Sequence, residues 1–175
     1  MTWHIPIPKL LVPTKFRTFV TLPHETHLPI AQHPGAYGVK RKHHTHEGVD
    51  LYCAEGTDVS AVEDGEIVAI IHFTGSKAEP PSPWWWNTMA VLVEGETGVV
   101  VYGEVAPAQG MLVGDKVKRG EIIAHVMQVL KVHKGFPVSM LHLELHEPGT
   151  RYAWDWIDEK PPSLRDPTQY LLESR

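Results

Sequence analysis

Cysteine is almost missing from this chain. Cys53 is the single one among 175 residues, so no intramolecular disulfide can form and the redox compartment stays open. Long apolar runs are missing too: nothing approaches the ~20 residues a bilayer span needs, so no membrane insertion is expected. Positive charge is short. Sixteen Lys and Arg stand against 21 Asp and Glu, for a formal net charge of −5. No Lys/Arg-rich run offsets this, so no nucleic-acid partner is expected. The opening Met-Thr-Trp-His-Ile-Pro-Ile-Pro lacks a basic segment followed by an apolar one. No signal peptide is visible, and a cytoplasmic, phage-associated or truncated origin stays open. A sustained 3.6-residue apolar period is absent as well, which disfavours a helical fold. The helical zinc motif H-E-x-x-H does not occur: His24-Glu25-Thr26-His27 has the wrong spacing, and His46-Glu47 has no second His at the right offset.

What is present reads as a soluble β-domain. Hydrophobic residues make up 42% and charged residues 21% of the chain, the balance of a globular protein with one core. Residues 1–35 are rich in Pro and His without periodicity and read as an extended N-terminal arm packing across the domain. Residues 36–175 read as a single β-domain. Expected strands run through 48–52, 59–62, 66–71, 88–93, 99–105, 122–129 and 140–145, separated by Gly turns such as Glu63-Asp64-Gly65 and Glu96-Thr97-Gly98. The fold class is therefore all-β, a curved antiparallel sheet or sandwich, with one short helical turn expected near residues 165–172.

Twelve histidines are the unusual feature, and histidine is the commonest metal ligand. In His46-Glu47-Gly48-Val49-Asp50 the outer two residues would lie ~13 Å apart in an extended strand. Sharing one ion requires a bend, and Gly48 is where a bend is easiest. In Met140-Leu141-His142-Leu143-Glu144-Leu145-His146, alternation sends Leu141, Leu143 and Leu145 into the core. Met140, His142, Glu144 and His146 go to the other face, as a site or a wet surface. Val99-Val100-Val101-Tyr102-Gly103-Glu104 is an apolar strand ending in a carboxylate. Spacing alone leaves a metal site and a set of ordinary surface residues both open. Trp84-Trp85-Trp86 sits in a Pro-rich loop, and Trp86 is a candidate to stack on substrate. Trp154 and Trp156 read as packing residues, and Cys53 as buried.

Taken together, these segments resemble the lysostaphin-type (LytM-like) zinc metallopeptidases. The first signature is His46-Glu47-Gly48-Val49-Asp50-Leu51 with Gly56-Thr57-x-Val59-x-Ala61 and Asp64-Gly65-x-Ile67-Val68. The Val113-Gly114-Asp115-x-Val117-x-x-Gly120-x-Ile122 stretch, the closing Leu141-His142-Leu143-Glu144 strand and the Asp166-Pro167 and Tyr170-Leu171 ending follow in order over about residues 37–172. The resemblance implies the curved antiparallel sheet of the lysostaphin type (duplicated hybrid motif). It implies a Zn2+ ion held by His46, Asp50 and His142, and hydrolysis of peptide cross-links of bacterial peptidoglycan. Two positions depart from the pattern. Met140 stands where the closing motif begins with a catalytic His, and Glu104 stands where a second His follows Tyr-x. Two readings follow. Glu104 replaces histidine as the general base of a working peptidase, or the chain is a degenerate zinc-binding module that binds cell-wall or protein partners without hydrolysis. His43, His44, His125, His133 and His146 are candidates to compensate, with His133 the one placed to approach substrate from a loop. A lipoyl-carrier-like β-domain is disfavoured because the Glu63-Asp64-Gly65 hairpin offers no lysine to modify.

Overall fold

The computed structural model describes residues 2–8, 19–22, 27–133, 135 and 137–175. Much of the expected arm, at 9–18 and 23–26, and with it His24-Glu25-Thr26, lies outside the described residues. The elements are β1 (Phe19–Thr21), β2 (His27–Pro29), β3 (Val49–Tyr52), β4 (Asp58–Ser60), β5 (Gly65–Thr74), β6 (Thr88–Gly95), β7 (Val99–Pro107), β8 (Lys116–Val117), β9 (Ile122–Val126), β10 (Met140–His146), β11 (Leu164–Arg165) and α1 (Thr168–Leu172). β1 and β2 form a small antiparallel pair. The remaining strands form one antiparallel sheet, ordered β11-β10-β7-β6-β5-β8, with β3 on β10, β9 on β7 and β4 on β9. The all-β expectation holds, and the helical turn is α1. Several strand ends differ from expectation; among them β5 continues to Thr74, β4 stops at Ser60, β9 stops at Val126, β6 reaches Gly95 and β7 reaches Pro107. β5 runs on because Thr88 and Met89 of β6 still pair with Thr74 and His72. β4 stops after its register with β9 shifts between Val59 and Ser60.

One face of the sheet holds the main core. Val49, Leu51, Ile67, Val91, Val93, Val100, Tyr102, Leu141, Leu143 and Leu145 all sit there in one buried cluster, as alternation along each strand requires. The opposite face is not wet. Ala90, Leu92, Val99 and Val101 form a second buried cluster there, covered by Phe73 and Ala153 among others. His142, Glu144 and His146 lie on that same face, opposite Gly103, Val101 and Val99 of β7, and all three are buried. The polar row expected as a site or a wet surface is thus enclosed, because the segment leading to β11 folds over it.

The N-terminal residues are integral to the core. Trp3, Ile5 and Ile7 are buried, Trp3 stacks on Tyr170 at 4.9 Å between ring centroids, and the amide of Arg175 donates to the Trp3 carbonyl at 2.9 Å. Both ends of the chain therefore close on each other. Removing a fully buried indole costs about 3–5 kcal/mol, so Trp3→Ala should lower the midpoint of urea denaturation by that much stability. An unchanged midpoint would mean that the first residues contribute nothing to the folded state.

Candidate metal centre and its groove

Strand register builds the centre. β3 and β10 are antiparallel neighbours in which Asp50 pairs directly with His142, and on the other side of β10 His142 pairs with Gly103 of β7. His46 arrives from the loop before β3. Gly48 lies at a bend there, as expected, and has a second reason to be glycine. A Cβ on it would meet the Leu143 carbonyl oxygen at 2.4 Å and His142 Nε2 at 3.0 Å. Only a hydrogen lets the loop press against β10 and bring His46 within reach of its partners.

Three ligand atoms converge there. His46 Nε2 lies 3.1 Å from Asp50 Oδ1 and 3.2 Å from His142 Nδ1, and His142 Nδ1 lies 2.9 Å from Asp50 Oδ1. Tetrahedral bonds of ~2.0–2.1 Å imply ligand–ligand edges of roughly 3.3 Å, so this triangle suits one small cation after a slight expansion. The outer hydrogen bonds agree. His46 Nδ1 faces the Ala36 carbonyl at 2.9 Å. A carbonyl only accepts, so Nδ1 carries the proton and Nε2 presents a lone pair. His142 Nε2 donates to Glu144 Oε1 at 2.9 Å, Glu144 Oε2 accepts from His146 Nε2 at 2.6 Å, and His146 Nδ1 meets Ser163 Oγ at 2.9 Å. Each ligand histidine is thus oriented from behind, as metal-binding imidazoles usually are.

The electrostatics show a cluster that wants a cation. Burial alone would lower the His142 pKa, yet the Asp50 and Glu144 carboxylates that it bonds hold it well above the ordinary value. Burial lowers His46. Burial would raise Asp50, but His46 and Arg41 hold it well below the carboxylate range. Glu144, despite burial, is held down to about 2 by its two histidine partners. Two carboxylates, Asp50 and Glu144, thus flank the His142 ring. A divalent ion must compete with protons for the histidine ligand atoms, so metal affinity falls as pH drops.

His46 and His142 of the centre line a groove of about 360 Å³ that also holds Arg41, His43, His44, Glu47, Phe73, Glu104 and Glu144, with Trp84, Trp85, Tyr152 and Trp154 around it. Glu104 is not at a strand end. It sits inside β7, where the strand changes partner from β10 at Gly103 to β9 at Val105, beside a register shift against β6. Its φ is 64°, a left-handed conformation costing a non-glycine residue of order 1–3 kcal/mol. Bulges of this kind re-aim side chains next to sites. Its Oε2 is buried with no hydrogen-bond partner among the described residues, and burial together with the charge of Asp50 pushes its pKa up to about 8.

The other candidates are dispersed. Trp86 is half exposed, lies under the Lys131 ammonium at 4.9 Å, and does not line the groove. Its neighbours Trp84 and Trp85 do. His133 bonds the Gly135 amide and is also outside the groove. His125 pairs with Asp58 at the surface, and His146 lies behind Glu144. His43 and His44 do face the groove, with His44 lowered to about 4 by burial and by Arg41. Trp154, expected to pack, is 61% exposed on the groove rim. Cys53 is buried as expected. Sequence reasoning passed over Arg41, whose Nη2 donates to Asp50 Oδ2 and to the Pro34 carbonyl, both at 2.7 Å. It also passed over Glu47, which accepts the Trp156 amide at 2.8 Å. Arg41 belongs to no spaced pattern, and Glu47 lies inside the His46–Asp50 signature only as a residue between its two outer members.

A family profile described as Peptidase family M23 matches residues 44–154. No curated protein sequence matches the chain. Among solved structures, Helicobacter pylori Csd3 in its hexagonal crystal is similar at 18% identity and a TM-score of 0.49, over 91% of this chain and 36% of that one. A peptidase M23 from Pseudomonas aeruginosa is similar at 15% identity and a TM-score of 0.47, over 96% of this chain and 55% of that one. The catalytic domain of the antimicrobial peptidase lysostaphin from Staphylococcus simulans is similar at 20% identity and a TM-score of 0.47, over 78% of this chain and 86% of that one. The chain spans 36% of the length of the first of these.

The position of Glu104 has a measurable cost. Its folded pKa lies above its ordinary value of 4.5, so the folded state binds more protons than the unfolded chain between those two pH values. The residue's contribution to stability therefore falls as pH rises through that window. Glu104→Gln cannot titrate. In urea denaturation with chelator present, its stability relative to wild type should grow from about pH 5 to about pH 8. A pH-independent difference would show that Glu104 has an ordinary carboxylate pKa.

Proposed function

Because the chain belongs to peptidase family M23, we propose that it is a zinc-dependent metallopeptidase with ligands His46, Asp50 and His142 and with Glu104 as general base, hydrolysing peptide cross-links of bacterial peptidoglycan. The observation that carries this reading is the convergence of the three ligand atoms at 2.9–3.2 Å on the floor of a groove that also holds the unpartnered Glu104 carboxyl. Three protein ligands with one position left to solvent is the pattern of catalytic zinc, whereas structural zinc is closed by four. When bound, zinc would polarise the scissile carbonyl and acidify a water.

The chain's own residues then divide the remaining work. Glu104, with no hydrogen bond to compete for Oε2, accepts the proton of the attacking water and passes it to the leaving amine. Glu144, backed by His146, keeps the His142 ring in the tautomer whose Nδ1 faces the ligand triangle. Phe73, whose ring centroid is 5.5 Å from that of His142, closes one apolar wall. Trp84 and Trp154 on the rim offer flat faces on which sugar or peptide can stack. The peptidoglycan assignment rests on the motif resemblance and on this aromatic rim.

A second reading, a zinc-holding module without hydrolysis, is favoured by Met140, which has no donor where the pattern has histidine. Metal analysis and turnover separate the two. Protein expressed with zinc should hold one equivalent and cleave soluble muropeptides. Glu104→Gln should keep the zinc and lose roughly 10²–10⁴-fold in kcat. Zinc near zero in wild type would sink the centre itself. Zinc retained, with wild type and variant equally inert on a broad muropeptide panel, would leave the binding module standing. The support behind His142 has its own signature: His146→Leu, which strips Glu144 of a donor, should weaken zinc binding roughly 10–100-fold in chelator competition. Unchanged affinity would show that His146 only fills space.

A further inference from the structure

Hydrolysis through the proposed centre needs a donor for the oxygen that becomes negative, and the position expected to supply it carries Met140, whose side chain has no N–H. Arg41 lines the same groove floor as His46, His142 and Glu104. Its two anchoring bonds, to Asp50 Oδ2 and to the Pro34 carbonyl, are both made by Nη2. That leaves the N–H groups of Nε and Nη1 without a hydrogen-bond partner among the described residues. The side chain keeps 32% of its exposure. Asp50 spends Oδ1 on the ligand triangle and Oδ2 on Arg41, so the guanidinium sits one carboxylate width from the ligand atoms. The backbone around it is fixed, since Arg41 N bonds the His44 carbonyl at 2.8 Å and the loop is pinned at His46 N to Val39 O at 2.9 Å. A permanent cation that is pre-positioned, anchored on one nitrogen and open on two others is equipped to bind a developing anion.

We propose that Arg41 is a catalytic residue that binds the carbonyl oxygen of the scissile bond and stabilises its negative charge, in the place left by the missing histidine. This rests on the hydrolase reading above. As the water oxygen bonds to the carbonyl carbon, the carbonyl π pair moves onto oxygen, and that oxygen accepts from the free guanidinium N–H groups. The water proton goes to Glu104. When the C–N bond breaks, the oxygen returns its electron pair to re-form the carbonyl, and Glu104 delivers the proton to the departing nitrogen. Water and peptide become an acid and an amine, with no further reactant. The bond to Asp50 and the contact with substrate use different nitrogens of one planar group, so Arg41 can hold the ligand carboxylate and the substrate oxygen together. A lysine, with one nitrogen, cannot serve both in the same geometry.

The test uses the zinc-loaded full chain, soluble muropeptides for turnover, and an Ala-Ala phosphinic pseudodipeptide as a tetrahedral anion whose binding is read without turnover. At saturating zinc, Arg41→Met should keep one equivalent of metal, lose about 10²–10³-fold in kcat with KM changed less than about threefold, and bind the phosphinate at least about tenfold more weakly. Arg41→Lys, which keeps a cation for Asp50 in case the methionine variant loses metal, should hold zinc and still lose at least about tenfold in kcat. Metal-loaded Arg41→Lys with wild-type kcat and phosphinate affinity would overturn the proposal. So would metal-loaded Arg41→Met within about threefold of wild type in both. If zinc-loaded wild type neither cleaves muropeptides nor binds the phosphinate, the hydrolase reading fails and this inference goes with it. If wild type does both and the variants match it, only the role of Arg41 is lost.

Discussion

The antiparallel pairing of Asp50 with His142 is the constraint on which the rest of the centre depends. Two side chains from strands 92 residues apart become direct cross-strand neighbours, which puts their ligand atoms 2.9 Å apart without any long reach. A one-residue slip of β3 against β10 would turn one of them to the apolar core face. The leucines at 141, 143 and 145 prevent that slip, because the main core accepts only that register. Hydrophobic patterning on one face thus sets the geometry of the candidate centre on the other. His46 is its dependent member. It arrives on a loop, and Gly48 lets that loop lie against β10 closely enough to bring it in.

The second consequence is the cost of enclosing polar groups. His142, Glu144, His146 and Asp50 are all buried, and burial of such groups is tolerated only when each is bonded or paired. The run from His142 through Glu144 and His146 to Ser163 meets that condition. Glu104 Oε2 does not, and it sits on a left-handed backbone as well. Such strain is found most often next to sites, which is why Glu104 is the proposed base. Arg41 shares this character in milder form, with both of its side-chain hydrogen bonds among the described residues made by one nitrogen.

Much of this was legible in the sequence for identifiable reasons. The strands were readable because alternation and glycine turns are local properties. That His46, Asp50 and His142 come together was readable because His46-x-x-x-Asp50 and the closing strand carry recognisable spacing, supported by resemblance over most of the domain. Burial of the polar face was not readable, since strand alternation says which residues share a face and nothing of what later folds over it. Glu104 was seen as a strand end because a change of pairing partner leaves no mark in the residues themselves. Trp86 was preferred to Trp84 and Trp85, and His133 to His44, since orientation in a loop is set by tertiary contacts. Arg41 stands outside any spaced pattern, and its place beside Asp50 shows only in its hydrogen bonds.

The most direct measurement is a crystal structure of the zinc-loaded protein with anomalous diffraction at the zinc edge. The account predicts one peak between His46 Nε2, Asp50 Oδ1 and His142 Nδ1, with bonds near 2.0–2.2 Å and a solvent oxygen in the fourth position within hydrogen-bond reach of Glu104. No peak between those three atoms, or a direct bond from Glu104 to zinc that closes the fourth position, would contradict it.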